Sequence, residues 1–336
     1  MKKSILALAI LGAISGAALA QSSVTMFGAV DVGVRSVTND GATVRSMSTS
    51  GYSSSALGFR GVEDLGDGLS ASFWLEASTA VDTGTVDTTK FFGRRATMSL
   101  AGKFGEVRLG RDLNPSYLNL GTFDAFGNLG IGSNLNIVST LSSAVNTLAR
   151  TDNSIAYFTP AMGGFYAHVM GAPGEGTTGN QYKAARVGYA DSKLNVAAAV
   201  GVTNTATSDN FTLTNIGASY DFGIAKVMGI YNVSEYGAKK STMLGLGANI
   251  PVGDFWQIRV SAARANASGA GTDANDANLF AVGGVYLLSK RTAFYGTASR
   301  IANDNAAGYS VAGVFPSATN MNRTSTGYEF GIRHGF

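Results

Sequence analysis

The chain of 336 residues carries 25 basic and 22 acidic side chains, so its charge is nearly balanced and gives no indication of a nucleic-acid partner. It contains 44 glycines and no cysteine, and 10% of its residues are aromatic. No segment after residue 20 is apolar for the roughly 20 residues that a membrane-spanning helix needs, which excludes a helical membrane protein.

Residues 1–20 have the pattern of a secretory signal peptide. Two lysines precede an apolar run at 5–14, and an Ala-Leu-Ala tripeptide ends at Ala20. A membrane anchor is the alternative, but the apolar run is too short to span a bilayer as a helix. Cleavage leaves a mature domain of residues 21–336 with 23 basic and 22 acidic side chains.

An exported chain without cysteine needs a source of stability other than disulfides. The glycine-rich and aromatic composition, with 14% charged residues and 5 prolines, is typical of a sheet. A long antiparallel sheet that closes on itself pairs all of its backbone groups and leaves no edge. We therefore expect an all-β fold that is stabilised by closure of the sheet into a barrel.

Strands are predicted by apolar and polar residues that alternate with a period of two. The first strand covers 24–35, with Val24 and Val30 on one face and Asp31 and Arg35 on the other. A polar Gly/Ser/Thr loop is expected after it. Four more strands precede the longest loop, and their alternation covers 56–62, 69–77, 91–100 and 106–109.

The longest segment without alternation is 111–150, and its apolar content is too high for a solvated tether. Loops of this length in such folds are usually functional. We predict that it folds into the mouth of a barrel and narrows it. Eleven strands are expected to follow: 152–160, 163–172, 181–191, 192–204, 209–221, 222–234, 240–250, 253–265, 277–289, 290–303 and 325–336.

The connections alternate between short turns and long polar loops. Turns such as 64–68, 101–104 and 251–254 contrast with loops such as 265–277 and 303–325. Short turns at one end and long loops at the other, with an even count of 16 strands, are typical of an outer-membrane barrel. No fixed repeat of a propeller or a β-helix is present. The predicted fold is a 16-stranded antiparallel transmembrane β-barrel.

Charged residues lie opposite the apolar face of their own strands. A Lys or Arg that faces the bilayer midplane costs about 2–4 kcal/mol, whereas one that faces an aqueous lumen meets water. The residues that obey this parity are Arg60, Glu76, Arg95, Glu106 and Arg108. The barrel is therefore predicted to be polar inside and apolar outside, the reverse of a soluble barrel.

Several motifs resemble those of the general porins of Gram-negative outer membranes, in the branch typical of β-proteobacteria. They extend along the mature chain in matching order: QSSVT at 21–25, LGFRGVEDLG at 57–66, FGRR at 92–95, FGEVRLGR at 104–111, DNSIAY at 152–157 and GIRHGF at 331–336. The resemblance implies a homotrimer in the outer membrane, with the third extracellular loop, residues 112–150, folded inward. It also implies that the terminal aromatic Phe336 is recognised by the barrel-assembly machinery.

The same resemblance implies a constriction in which arginines of the barrel wall face the inward loop. The basic candidates are Arg60, Arg94, Arg95, Arg108 and Arg150. Arg94 has the wrong parity for its strand and therefore needs a bulge or a rim position. The acidic candidates are Asp112 and Asp124 on the loop and Glu76 on the wall. Anion-selective relatives have Arg where this chain has Ala56, so one positive charge is missing.

The sequence thus predicts an outer-membrane channel for passive diffusion of small ions and hydrophilic solutes, with a weak preference for anions and no cofactor or metal. Outer-membrane lipid and lipopolysaccharide are the expected surroundings. A substrate-specific channel is the nearest alternative. An outer-membrane enzyme is disfavoured because His168 and His334 are too dispersed for a catalytic site. An adhesin is disfavoured because strands and loops use all of the mature chain.

Overall fold

The computed structural model describes residues 23–176, 181–207, 209–270, 274–313 and 320–336. The predicted signal peptide, residues 1–20, lies outside them. The alternating segments form antiparallel strands with these bounds: β1 Ser23–Asn39, β2 Ala42–Thr49, β3 Ala56–Gly66, β4 Leu69–Ala80, β5 Thr85–Val86, β6 Arg95–Gly102, β7 Gly105–Leu113, β8 Arg150–Phe158, β9 Phe165–Ala172, β10 Tyr182–Ala190, β11 Leu194–Asn204, β12 Asn210–Asp221, β13 Lys226–Tyr236, β14 Lys239–Val252, β15 Trp256–Gly269, β16 Ala277–Leu287, β17 Thr292–Asn303 and β18 Thr324–Gly335.

The strands close into a ring because the last strand pairs with the first. Each strand from β6 to β17 pairs with the strand that follows it. β18 pairs with β1 from Ala29↔Gly335 to Asn39↔Ser325. The ring is completed by the pairs β1–β3, β3–β4 and β4–β6. The segments β2 and β5 are hairpin additions on β1 and β4. Among the described residues, 16 strands therefore complete the barrel, which confirms the predicted fold.

The polar loop expected after the first strand is wrong, because residues 42–49 form β2. Asp40 and Gly41 both have positive φ (48° and 78°), the geometry of the two-residue turn that matches the twist of a hairpin. The chain then leaves the wall at 50–55. The carboxylate of Asp31 holds this segment by accepting hydrogen bonds from the backbone N–H groups of Tyr52 (2.9 Å) and Ser53 (2.6 Å). We call residues 50–55 the inward bulge.

The connection lengths follow the predicted pattern with one exception. The turns at the end that holds Ser23 and Phe336 are short, as between β6 and β7. At the opposite end, however, β13 and β14 are joined by residues 237–238 alone. Gly237 has a φ of 57°, which permits this tight turn. By the geometry of outer-membrane barrels, the short-turn end with both termini is the periplasmic end.

The outer face of the barrel is apolar, as the parity predicts. Large apolar side chains on alternate positions are exposed outward, whereas their sequence neighbours point inward. In β18, for example, Tyr328 is 60% and Phe330 62% exposed, but Glu329 between them is 0% exposed. This is the arrangement that a strand in contact with lipid requires.

The third long loop, residues 114–149, turns into the barrel, and we call it L3. The predicted segment began two residues too early at 112, because β7 continues to Leu113. L3 contains helix α1 (Pro115–Thr122) and a 3-10 turn (Asn134–Ile137). Pro115 at the first turn favours the start of α1, because its fixed φ suits a helix and its missing N–H has no partner there. None of the described helices has the length and apolar character of a membrane span.

L3 and one half of the wall form a hydrophobic core inside the barrel. From L3, the core takes Leu120, Phe123, Ala125, Phe126, Ile131, Leu135, Ile137, Val138 and Leu148. From the inner face of β11–β17, it takes Ala197, Phe211, Leu213, Met228, Ile230, Met243, Ala263, Ala265, Ala277, Leu279, Ala281 and Ile301. The polar lining predicted for the whole lumen is therefore wrong for this half, because L3 covers it and excludes water.

Glycines on the inner face of this half let L3 approach the wall. A Cβ on Gly217 would lie 2.1 Å from Cδ2 of Phe123, and one on Gly247 would lie 2.8 Å from Cβ of Ala125. Contacts this short are never tolerated between carbon atoms in a packed interior. L3 therefore docks on the wall where side chains are missing.

Replacing Gly217 by Val should displace L3 from the wall, because the new side chain occupies the position of the Phe123 ring. Overpacking of this kind costs about 1–3 kcal/mol. We expect a larger single-channel conductance and a lower unfolding temperature. Gly229→Val is the matched control, since a Cβ there would lie 3.2 Å from the flexible Leu246 side chain and at an ordinary contact distance of 3.6 Å from the Gly245 carbonyl oxygen. Equal conductance of the two variants would contradict the docking role of Gly217.

Candidate pore constriction

The half of the wall that L3 leaves uncovered carries the predicted charged residues. Strands β3–β8 bring four of them to the inner face: Arg60, Glu76, Arg95 and Arg108. Glu76 lies directly opposite Gly58 on β3 and Arg95 on β6, and Arg60 lies directly opposite Trp74. None of the described residues of β3–β7 belongs to the core under L3. This wall therefore borders the space that remains for water and ions.

Arg60 is exposed to the lumen and lies against aromatic rings. Its Cζ is 5.4 Å from the ring centres of both Phe27 and Trp74. Cation–π contacts of this length hold the guanidinium in place without neutralising its charge. Among the described residues, no carboxylate forms an ion pair with Arg60.

Arg94 and Arg95 are each paired with a carboxylate of the same wall. The Arg94 guanidinium donates to Glu76, whose other oxygen accepts from the Trp74 indole N–H at 2.9 Å. Arg95 lies over the Trp74 ring at 4.6 Å and 3.7 Å from Asp112. Arg94 immediately precedes β6, and its backbone N–H donates to the carbonyl of Glu76 at 3.1 Å, so it reaches Glu76 from outside the regular alternation of the strand.

Arg108 is neutralised by two carboxylates. Its guanidinium lies 2.8 Å from Glu106 and 2.6 Å from Asp112, and its Cζ is 4.2 Å from the ring centre of Phe158. The opposite face of Phe158 stacks on His168 at 4.0 Å. This cluster contributes no net positive charge, because two acids face one Arg108 and the nearby Arg95.

Arg150 begins β8, beside the point where L3 ends. Its Nε donates to the backbone carbonyl of Arg94 at 2.8 Å, and among the described residues it has no ion-pair partner. Arg60 and Arg150 are thus the two predicted arginines whose charge is not neutralised by a contacting carboxylate. With Glu106 counted among the acids, the predicted arginines number five and the carboxylates beside them number three, and Arg111 and Asp152 form a further pair at 2.6 Å.

Of the two acidic candidates expected on the loop, one lies elsewhere and the other is buried within the loop. Asp112 lies in β7 rather than in L3, so it pairs with arginines beside it instead of facing them across the lumen. Asp124 does belong to L3, but it is 4% exposed and bonds within the loop. Within the described residues, the structure does not bring Asp124 to the arginines of the wall.

Asp124 organises the tip of L3. Its carboxylate accepts hydrogen bonds from the backbone N–H groups of Phe126 (3.1 Å), Asn128 (3.0 Å) and Asn134 (3.2 Å) and from Ser133 Oγ (2.7 Å). Burial raises the pKa of Asp124 above its ordinary value, and the four hydrogen bonds offset part of that increase. The role of Asp124 in the structure is therefore to close the loop on itself.

Two inward arginines on the far wall are not among the residues predicted from the sequence. Arg186 of β10 donates to Asn119 Oδ1 (2.9 Å) and Thr122 Oγ1 (3.0 Å), which fixes α1 to the wall. Arg259 of β15 lies between the rings of Tyr52 and Phe126. Arg259 follows the outward Ile258 in β15, so the alternation along this strand was the sequence signal that could have identified Arg259 as an inward residue.

Comparison with known proteins agrees with this geometry. A family described as "Gram-negative porin" matches residues 7–306 of the chain. The chain belongs to this family. The outer membrane porin protein 32 of Delftia acidovorans is 39% identical over 359 residues, which cover 100% of both chains.

Solved structures place this porin among barrels of the same architecture. The anion-selective porin from Comamonas acidovorans matches with a TM-score of 0.86 and 35% identity, covering 94% of this chain and 100% of the other. The trimer form of OmpT from Vibrio cholerae matches with a TM-score of 0.71, covering 94% and 99%, but at 14% identity this likeness concerns the fold alone. The protein is therefore an outer-membrane channel for passive diffusion, as the sequence predicted.

Proposed function

We propose that this porin passes small hydrophilic solutes with a weak preference for anions, and that Arg60 and Arg150 set the preference. The observation that supports the proposal is that these two arginines have no ion-pair partner among the described residues, whereas Arg94, Arg95 and Arg108 are paired. Unpaired charges that border a narrow aqueous gap attract counter-ions and repel co-ions.

Two features keep the preference weak. Ala56 is a small residue on the inner face, where relatives that select anions more strongly are expected to have Arg. The paired carboxylates Glu76 and Asp112 cancel most of the remaining positive charge. The relative whose name describes it as anion-selective supports the sign of the preference for this chain.

The preference is measured as a reversal potential of the purified protein in a planar bilayer across a tenfold KCl gradient. We expect a potential whose sign corresponds to chloride passing more readily than potassium. Its magnitude should remain below that of an ideally anion-selective channel, because the wall retains three carboxylates. A potential of the opposite sign would refute the proposal.

L3, residues 114–149, forms the narrow part of the channel in this proposal, and residues 1–20 direct export.

We further propose that the protein performs no chemical reaction. Porin-family membership supports this, as does the arrangement of the two histidines, since His168 stacks on Phe158 and His334 bonds to Thr292 at the barrel end. Among the described residues, neither histidine contacts a serine and a carboxylate in the way that a hydrolytic triad requires.

The proposed assembly is a homotrimer. The OmpT structure of Vibrio cholerae is described as a trimer form, which supports the same state for a barrel of this fold. An apolar outward surface near β1, β2 and β18 is suited to such a contact, with Val34, Met47, Tyr328 and Phe330 exposed by 53–62%.

Two further partners are proposed from the outer surface. Arg264 and Arg300 point outward near the long-loop end and are suited to the phosphates of lipopolysaccharide. Phe336 closes the ring by exchanging backbone hydrogen bonds with Gly28 (3.0 and 3.1 Å), and it is 43% exposed. An exposed terminal aromatic at the barrel seam supports recognition by the barrel-assembly machinery.

A further inference from the structure

A cavity of about 510 Å³ lies beneath the tip of L3, between that tip and the inner face of β13–β18. Lys226, which begins β13, and Lys290, in the short turn before β17, line its lower edge. The cavity therefore faces the periplasmic end of the barrel, and we call it the periplasmic chamber. Of the predicted constriction residues, only Asp124 is among the described residues that line it.

The chamber has an excess of positive charge. Its basic lining residues are Lys226, Arg259, Lys290 and Arg333, and its acidic lining residue is Asp124. The four hydrogen bonds that Asp124 accepts within L3 occupy its carboxylate. Among the described residues, neither lysine has an ion-pair partner. Four positive charges around one open cavity repel one another unless an anion lies between them.

Arg259 is the residue in this chamber whose environment is hardest to explain without a ligand. It is 3% exposed, and its Cζ lies 4.9 Å from the ring centre of Tyr52 and 4.4 Å from that of Phe126. Its Nε and Nη2 atoms have no hydrogen-bond acceptor among the described residues. Buried guanidinium groups are normally paired, because desolvation of an unpaired charge is unfavourable.

The neighbours of Arg259 form one row across the wall, which holds two cations and ends at Asp221 of β12, directly opposite Lys226. Asn249 lies directly opposite Arg259 on β14, and Lys226 lies directly opposite Asn249 on β13. Residues in such positions are about 5 Å apart, so the row presents two cations on either side of one amide. The amide oxygen of Asn249 also lacks a donor among the described residues.

We propose that the periplasmic chamber binds a small divalent oxyanion of the monohydrogen phosphate type. Its oxygens accept hydrogen bonds from Arg259 and Lys226, which are charge-assisted and therefore strong. The hydroxyl of the anion donates to Asn249 Oδ1, the third atom that lacks a partner among the described residues. This site is separate from the proposed constriction and does not depend on the anion preference of the channel.

The proposal is tested by titrating inorganic phosphate into the detergent-solubilised protein at constant ionic strength and pH 7.5, with the ³¹P line width as the readout. We expect saturable broadening with a dissociation constant on the order of 1 mM. Arg259→Gln should raise that constant about tenfold or more, since it removes a charge-assisted contact. Lys226→Gln, at the edge of the chamber, should raise it by a smaller factor.

Lys103→Gln is the matched control, because Lys103 lies in the exposed turn between β6 and β7, away from the chamber. It should titrate as the unmodified protein does. Far-UV circular dichroism establishes that each variant is folded, and Lys226→Gln keeps the test valid if Arg259→Gln fails to fold. No saturable broadening in the unmodified protein, or curves for both chamber variants that superpose on the Lys103→Gln curve, would overturn the proposal. A channel that conducts KCl with an anion preference but does not bind phosphate would refute this site alone.

Discussion

Replacing Arg60 and Arg150 together by Glu should reverse the ion preference of the channel from anions to cations. The five predicted arginines of β3–β8 lie beside the carboxylates Glu76, Glu106 and Asp112, and Arg111 and Asp152 of the same strands neutralise each other. The two replacements therefore change the balance of this group from two positive to two negative charges. A unit charge 4 Å from a passing ion contributes about 1 kcal/mol in water, equivalent to about a fivefold change in local concentration. Reversing the charge at both positions therefore changes the local ion concentrations by more than the weak initial preference for anions.

The reversal potential across a KCl gradient measures this change directly. Lys103→Glu combined with Lys193→Glu is the matched control, because both lysines are exposed in short periplasmic turns outside the lumen. The control should keep the potential of the unmodified protein. If the Arg60 and Arg150 variant also keeps it, the two arginines do not control selectivity. A variant with Gln at both positions should lie between the two extremes.

Replacing Asp124 by Ala should release the tip of L3 and increase both the conductance and its fluctuations. The replacement removes the acceptor of three buried donors, the N–H groups of Phe126 and Asn134 and the hydroxyl of Ser133, and of the partly buried N–H group of Asn128. Each costs about 1–3 kcal/mol if it stays buried and unsatisfied, so the tip should rearrange toward water. The strand ladders do not involve Asp124, and we expect the barrel to remain closed.

Single-channel recording measures the effect, and Asp87→Ala provides the control. Asp87 likewise accepts hydrogen bonds from a hydroxyl and backbone N–H groups of its own loop, those of Thr89 and Lys90, but it is exposed, so water replaces its carboxylate. Asp124→Asn should give an intermediate result because an amide has one acceptor oxygen. Conductance of Asp124→Ala that equals that of Asp87→Ala would show that the carboxylate does not hold the loop.

Alternation along the strands was sufficient to predict the barrel, because a strand between lipid and water must place unlike residues on its two faces. Where a strand has apolar residues on both faces, the sequence no longer shows which face points toward the lumen. The strands with Leu213, Ile230 and Leu279 on the inner face are such cases, and their burial depends on L3, which is distant in sequence. Hairpin β2 was missed because Asp40-Gly41 was included in a polar loop.

Motifs and parity identified the candidate arginines, but they did not show which of them are neutralised by a neighbouring carboxylate. Whether Arg60 acts on passing ions depends on the absence of a nearby carboxylate, and whether Arg108 does depends on the presence of Glu106 and Asp112. The buried position of Asp124 and the unpaired guanidinium of Arg259 also arise from contacts between elements far apart in the chain.

The sequence by itself determined the strand order, the outward face and the segment that enters the lumen, since each follows from local periodicity and from the unfavourable cost of charge in lipid. Only the tertiary structure decided which half of the lumen is packed and which charges remain unpaired. The physical reason is that pairing and exclusion of water depend on distances of a few ångströms between segments whose relative positions exist only once the ring has closed.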